Sequence, residues 1–180
     1  MNRTINHMLL IFVATLMCVS CNDGASLQRY FVDHQESKNF ITQDVPISML
    51  KIDESKLTVE QKEAYHSVKR LNFLGYKANE TNAQTLKVEL AKVKAILKDE
   101  KYKELIEFSD RGNKVVVKYM GDDEDADEVV VFGSSKDMGF GIVRVLGDAM
   151  SPDKMVALVS VLQNANVDKD QVQDIMNFFK

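Results

Sequence analysis

Apolar positions along the chain follow two rhythms, one helical and one of strands. From Asn82 onward Leu86, Leu90, Val93 and Leu97 recur at i, i+4, i+7 and i+11, a stripe along one helix face. The phase slips near Asp99 and Glu100, where Tyr102, Leu105, Ile106 and Phe108 continue it. That pattern predicts a kink or a break into two helices, stopped at Gly112. Three β-rich runs follow, residues 113–120 (NKVVVKYM), 128–132 (EVVVF) and 140–146 (FGIVRVL). Their separators, GDDEDAD and GSSKDMG, are short and turn-like, so a three-stranded antiparallel meander is expected.

Before the long helix, Ser26 can cap a turn or two of helix carrying Leu27, Tyr30 and Phe31. Residues 40–47 (FITQDVPI) read as a first strand that Pro46 ends or marks as an edge. Residues 48–52 suit a short helix. Thr58 and Gln61 form a capping-box pattern opening a helix to about Lys69, and residues 71–78 (LNFLGYKA) alternate as a second strand. Two closing helices are expected. The first starts at Ser151-Pro152, with Met150 and Met155 as a hydrophobic staple. The second starts at Asp168, where Val167 and Val172 staple and Val172, Ile175, Met176 and Phe179 keep helical spacing. The order implies a single α+β domain: a mixed, mostly antiparallel sheet of about five strands, packed by helices.

The first twenty residues stand apart. Residues 8–19 (MLLIFVATLMCV) are apolar and uncharged, too short for a hydrocarbon core of about 30 Å at about 1.5 Å per helical residue. Arg3 precedes them, small Ser20 and Cys21 follow, and a polar stretch comes next. This is the layout of an export signal cut between Ser20 and Cys21, with a plain cleaved signal or a membrane anchor as the alternatives. Val19-Ser20-Cys21 resembles the end of a bacterial lipoprotein signal, although Cys18 stands where leucine is commonest in that pattern. The resemblance implies that Cys21 receives a lipid. A C-x-x-C redox pair needs a strand-to-helix turn, and none precedes Cys18. Zinc needs two further ligands, and His7, His34 and His66 lack metal-ligand spacing. The chain therefore divides into residues 1–20 as signal, 21–25 as lipidated cysteine and tether, and 26–180 as the domain.

With 27 acids against 23 bases, the net charge of −4 argues against a nucleic-acid partner, which needs a basic face. Several candidate chemistries then fail on spacing. An EF-hand loop threaded from Asp123 has Glu128 where glycine must turn and Ser134 where the bidentate glutamate belongs. Asn166 to Asp170 fails similarly, with Gln171 and Asn177 at those places. The 122–128 run reads instead as a solvated hairpin loop with weak cation attraction. Gly133, Gly139 and Gly141 lack phosphate-loop spacing and precede a strand, so they read as a turn. Arg144, among apolar neighbours, is at a sheet edge or paired with a carboxylate, or else a ligand-binding arginine on an exposed sheet face. No metal, cofactor or catalytic residue is assigned.

The Cys-ended signal, Leu27-x-x-Tyr30-Phe31, FITQDVPISMLKI, a Lys/Glu helix ending in YKELIEF, a valine-rich hairpin and VRVLGDAMSPDKMVALV form a recognisable series. Together they resemble the DUF4252 lipoproteins of Bacteroidetes-type bacteria over about residues 26–165. That resemblance implies export and attachment to the cell envelope, and it brings no active site. The expected function is a non-catalytic protein- or ligand-binding module, with Arg144 and Tyr119 as a candidate ligand or partner face. The alternatives are an envelope hydrolase, which must gather His66 or Arg144 with two or more carboxylates, and a structural subunit of an envelope assembly.

Overall fold

The computed structural model describes residues 25–49, 52–151, 153–158 and 177–179. The expected export signal, Cys21 and most of the expected second closing helix lie outside the described residues.

Six strands form one sheet: β1 (Phe40–Pro46), β2 (Val68–Lys77), β3 (Lys103–Asp110), β4 (Asn113–Gly121), β5 (Ala126–Ser135) and β6 (Gly139–Met150). Their order is β1-β2-β6-β5-β4-β3, and every neighbouring pair is antiparallel. The helices are α1 (Leu27–His34), α2 (Val59–Ser67) and α3 (Ala83–Leu97), and residues 153–158 and 177–179 are also helical. The α+β class expected from the sequence is present.

The sheet differs from expectation in one strand, and no pair in it is parallel. Residues 103–110 were expected to prolong the long helix, and they form β3 instead. Their apolar side chains fit either rhythm, and the deciding feature is the two-residue turn behind them. Arg111 and Gly112 both adopt positive φ, 48° and 88°, the backbone of a tight hairpin rather than a helix end. Asp110 therefore pairs with Asn113, and β3 joins β4 as the sheet edge. The expected helix over residues 48–52 is a 3-10 turn at Ile47–Met49.

The caps were readable in advance. Ser26 Oγ accepts from Arg29 N, and Thr58 and Gln61 make the reciprocal capping box. Met155 N donates to the Ser151 carbonyl, opening the helical turn at residues 153–158.

Two cores form on opposite faces of the sheet. On the first, α1 and α3 bury Leu27, Tyr30, Phe31, Val93 and Ile96 against Leu74, Val130, Phe132, Phe140 and Ile142. On the second, α2 and residues 153–158 bring Ala64, Met155 and Leu158 onto Val129, Val145 and Met150. Alternation along β4, β5 and β6 sends successive side chains to the two faces, so nearly continuous valine runs reflect a sheet covered on both sides. Among the described residues the second cover is partial. Near the β3–β4 and β5–β6 turns, apolar side chains stay exposed: Phe108 at 61%, Met138 at 54%, Ile106 at 52% and Val115 at 39%.

Candidate functional site

Two of these side chains, Val115 and Met138, border a trench cut by glycines. Strand register sets Phe108, Val115, Gly133, Gly141, Gly75 and Ile41 side by side in one row across all six strands. Three consecutive members of that row, on β5, β6 and β2, have no side chain. At about 4.8 Å between strands, the bare floor runs about 10 Å from Gly133 to Gly75. Glycine weakens a strand interior, so three in register across the middle of a sheet mark a place of close approach.

What approaches differs along the floor. A Cβ at Gly75 would meet the Phe179 ring at 2.9 Å, so this ring occupies that end of the trench. Phe179 also packs edge-on against Phe73, with ring centroids 6.5 Å apart. A Cβ at Gly141 would make only ordinary contact with Phe73, and one at Gly133 would meet nothing within 4 Å. The open part is a groove of about 510 Å³, walled by Val115, Met138 and Phe179. Its floor is backbone already paired in the sheet ladder, which leaves apolar contact as its main chemistry.

Arg144 and Tyr119 are not brought together. Arg144 projects from β6 to the face covered by α1, buried, where its Nε and Nη2 donate to both oxygens of buried Glu128 at 2.8 and 3.1 Å. Its Nη1 donates to Gln28 Oε1 at 2.6 Å, and the guanidinium lies 5.4 Å from the centre of the Phe31 ring. The arginine therefore clamps α1 to the sheet. Beside it, burial and then the Glu128 charge push the Tyr102 hydroxyl up to about 12. Tyr119 lies on the other face, where its hydroxyl donates to Asp123 at 2.8 Å. Lys103 donates to the same oxygen at 2.8 Å, and these two bonds hold the Asp123 carboxyl below its ordinary value.

The histidines also stay apart. His66 meets one exposed carboxylate, Glu54, at 3.2 Å. His34 ends α1, with Nδ1 2.7 Å from the Tyr30 carbonyl, which can only accept. Its Nε2 is 3.4 Å from buried Glu89, which also accepts from the Tyr30 hydroxyl and Lys92. Among the described residues, neither His66 nor Arg144 meets the two carboxylates that a hydrolytic site would need, and no group of His, Cys, Asp and Glu is arranged to hold a metal ion.

The family described as "Domain of unknown function (DUF4252)" matches residues 30–158, well over half of the chain. The chain belongs to the DUF4252 family. No curated protein and no solved structure matches it. The matched DUF4252 span holds the entire trench floor and the Glu128–Arg144 pair, whereas Phe179 falls outside it. The floor is thus part of the DUF4252 domain, and the ring closing one end comes from the residues that follow.

The DUF4252 sequence did carry a signal for the trench. Gly133 was expected in the turn segment 133–139 but lies inside β5, Gly141 lies in β6 within the run expected as a strand, and only residues 136–138 make the turn. Gly75 stands in the middle of an alternating strand pattern. An isolated strand glycine signals close approach, but three become a trench only once register aligns them.

Proposed function

We propose that this protein is a lipid-anchored, non-catalytic binding module of the bacterial cell envelope, and that the glycine trench is its binding face. The observation that carries the binding role is an open apolar trench walled by exposed Val115 and Met138, with exposed Phe108 beside Val115 on the next strand. The anchoring role draws its support from the signal pattern ending at Ser20-Cys21. The five residues from Cys21 to Ser26 reach at most about 18 Å, so a lipid on Cys21 holds α1 close to a membrane surface. The trench opens on the sheet face opposite α1.

Labelling with a fatty-acid precursor in producing cells, with crosslinking in the same cells, tests both halves. Wild type is expected to take up label and sediment with membranes, and Cys21→Ser to lose both. A Cys21→Ser protein that stays labelled and membrane-bound overturns the anchor. Gly133→Leu, which fills the trench, is expected to lose whatever partner or ligand the wild type captures; unchanged capture overturns the binding face.

A further inference from the structure

We infer that the trench takes the hydrocarbon tail of a single-chain amphiphile whose anionic head group sits in an adjoining basic cleft. The inference rests on the reading of the trench as a binding face and names its ligand class. The cleft, of about 640 Å³, lies beneath α3 on the other face of the sheet, and Asn113, Lys114, Ser134 and Ser135 at the strand ends line both it and the trench. A ligand lying on the Gly133–Gly141 floor therefore reaches the cleft by bending around the ends of β4 and β5, where Asn113 and Ser135 border both.

Charge is concentrated there against the balance of the whole chain, which carries −4. Lys87, Lys94, Arg111, Lys114 and Lys136 line the cleft, with Asp110 the one acidic side chain among its described lining residues. Two cations are engaged: Lys114 with Glu107 at 2.7 Å, and Arg111 loosely with Asp110 at 3.8 Å. Lys87, Lys94 and Lys136 make no ion pair among the described residues. Three uncommitted ammonium groups around one concavity attract an anion. The floor, with its backbone groups already paired, has apolar area and dispersion to offer, which suits hydrocarbon. Val115 and the Phe179 ring wall the trench on either side of Gly133 and Gly141, which suits a slender hydrocarbon chain laid along the floor.

Calorimetric titration of the full chain with decanoate, and separately with uncharged decanol, tests the inference. Decanoate is expected to bind and decanol to bind more weakly. Raising the salt is expected to weaken decanoate only, because the head-group attraction is screened. Gly133→Leu places its side chain in open space, so the protein should fold normally and bind decanoate about tenfold or more weakly. Replacing Lys87, Lys94 and Lys136 together by glutamine should weaken decanoate several-fold and leave decanol unchanged. Equal binding of decanoate by wild type and Gly133→Leu overturns the inference, as does equal affinity for decanoate and decanol. If decanoate does not bind and Gly133→Leu dissociates a dimer seen by sedimentation, a second copy covers the trench; the amphiphile is then wrong and the binding face stands. If decanoate does not bind and Gly133→Leu alters neither association nor capture in cells, both readings fall.

Discussion

Removing the Glu128 carboxylate leaves the Arg144 guanidinium enclosed beneath α1, with Gln28 as its remaining hydrogen-bond acceptor. The cost of such a change lies mainly in the unpaired charge left behind rather than in the lost pair. Glu128→Ala is therefore expected to destabilise by about 3–5 kcal/mol, and Arg144→Met by a similar amount. Removing both charges with Glu128→Leu and Arg144→Met should cost less than either single change, because no unpaired ion remains. Urea unfolding of the two single variants and the double variant measures this cycle. Costs that simply add would mean that the two residues act independently and that the bidentate geometry has no energetic consequence. The pair also explains why a charged residue in a valine-rich strand need not mark a binding site: β5 and β6 carry Glu128 and Arg144 to one face at neighbouring register positions.

At the scale of elements, the β3–β4 hairpin is where the sequence was ambiguous. Leu105, Ile106 and Phe108 are spaced acceptably for a helix continuing from Leu97 and equally for a strand, and β3 is an exposed edge with little burial to reveal a period. Three helix starts were legible from their own capping chemistry, Ser26, the Thr58–Gln61 box and Ser151, whereas α3 was legible from its apolar stripe, since Asn82 makes no side-chain cap. The meander from β4 to β6 was legible because its valine runs are separated by short polar turns. The trench was not, because register lies between strands, and no single segment contains it. The two-residue turn itself yields a prediction. Arg111 holds φ at 48°, a left-handed conformation that asparagine tolerates better than arginine. Arg111→Asn should raise the unfolding free energy by about 0.5–1 kcal/mol, read as a higher urea midpoint with an unchanged slope. A lower midpoint would show that the exposed Arg111–Asp110 contact outweighs turn strain.

Over the whole molecule, the tyrosines set a limit on alkaline stability. The chain has five, and all five are held above the ordinary tyrosine value. Burial is the leading cause at Tyr30, Tyr65, Tyr76 and Tyr102, while at Tyr119 it is the hydrogen bond to Asp123. They are spread over both cores, with Tyr30, Tyr76 and Tyr102 in one and Tyr119 in the other. Unfolding above the ordinary tyrosine value of about 10 releases protons that the folded chain retains, so the unfolded state binds fewer. The sign then follows: this contribution is fully present below about pH 10 and is lost as pH rises toward the folded values, about 12 for Tyr102. Lys103, also raised by its hydrogen bond to Asp123, acts in the same direction. Urea midpoints should therefore be level between about pH 8 and 9 and fall steeply above about 10. Tyrosinate absorbance should rise together with the loss of helix rather than before it, since the hydroxyls ionise on exposure. Because β4, β5 and β6 floor both cores, the two faces should fail in one transition. Tyrosinate appearing in a folded chain, or midpoints unchanged through about pH 11, would show that the hydroxyls reach solvent without unfolding and that the cores seal them less well than their burial indicates.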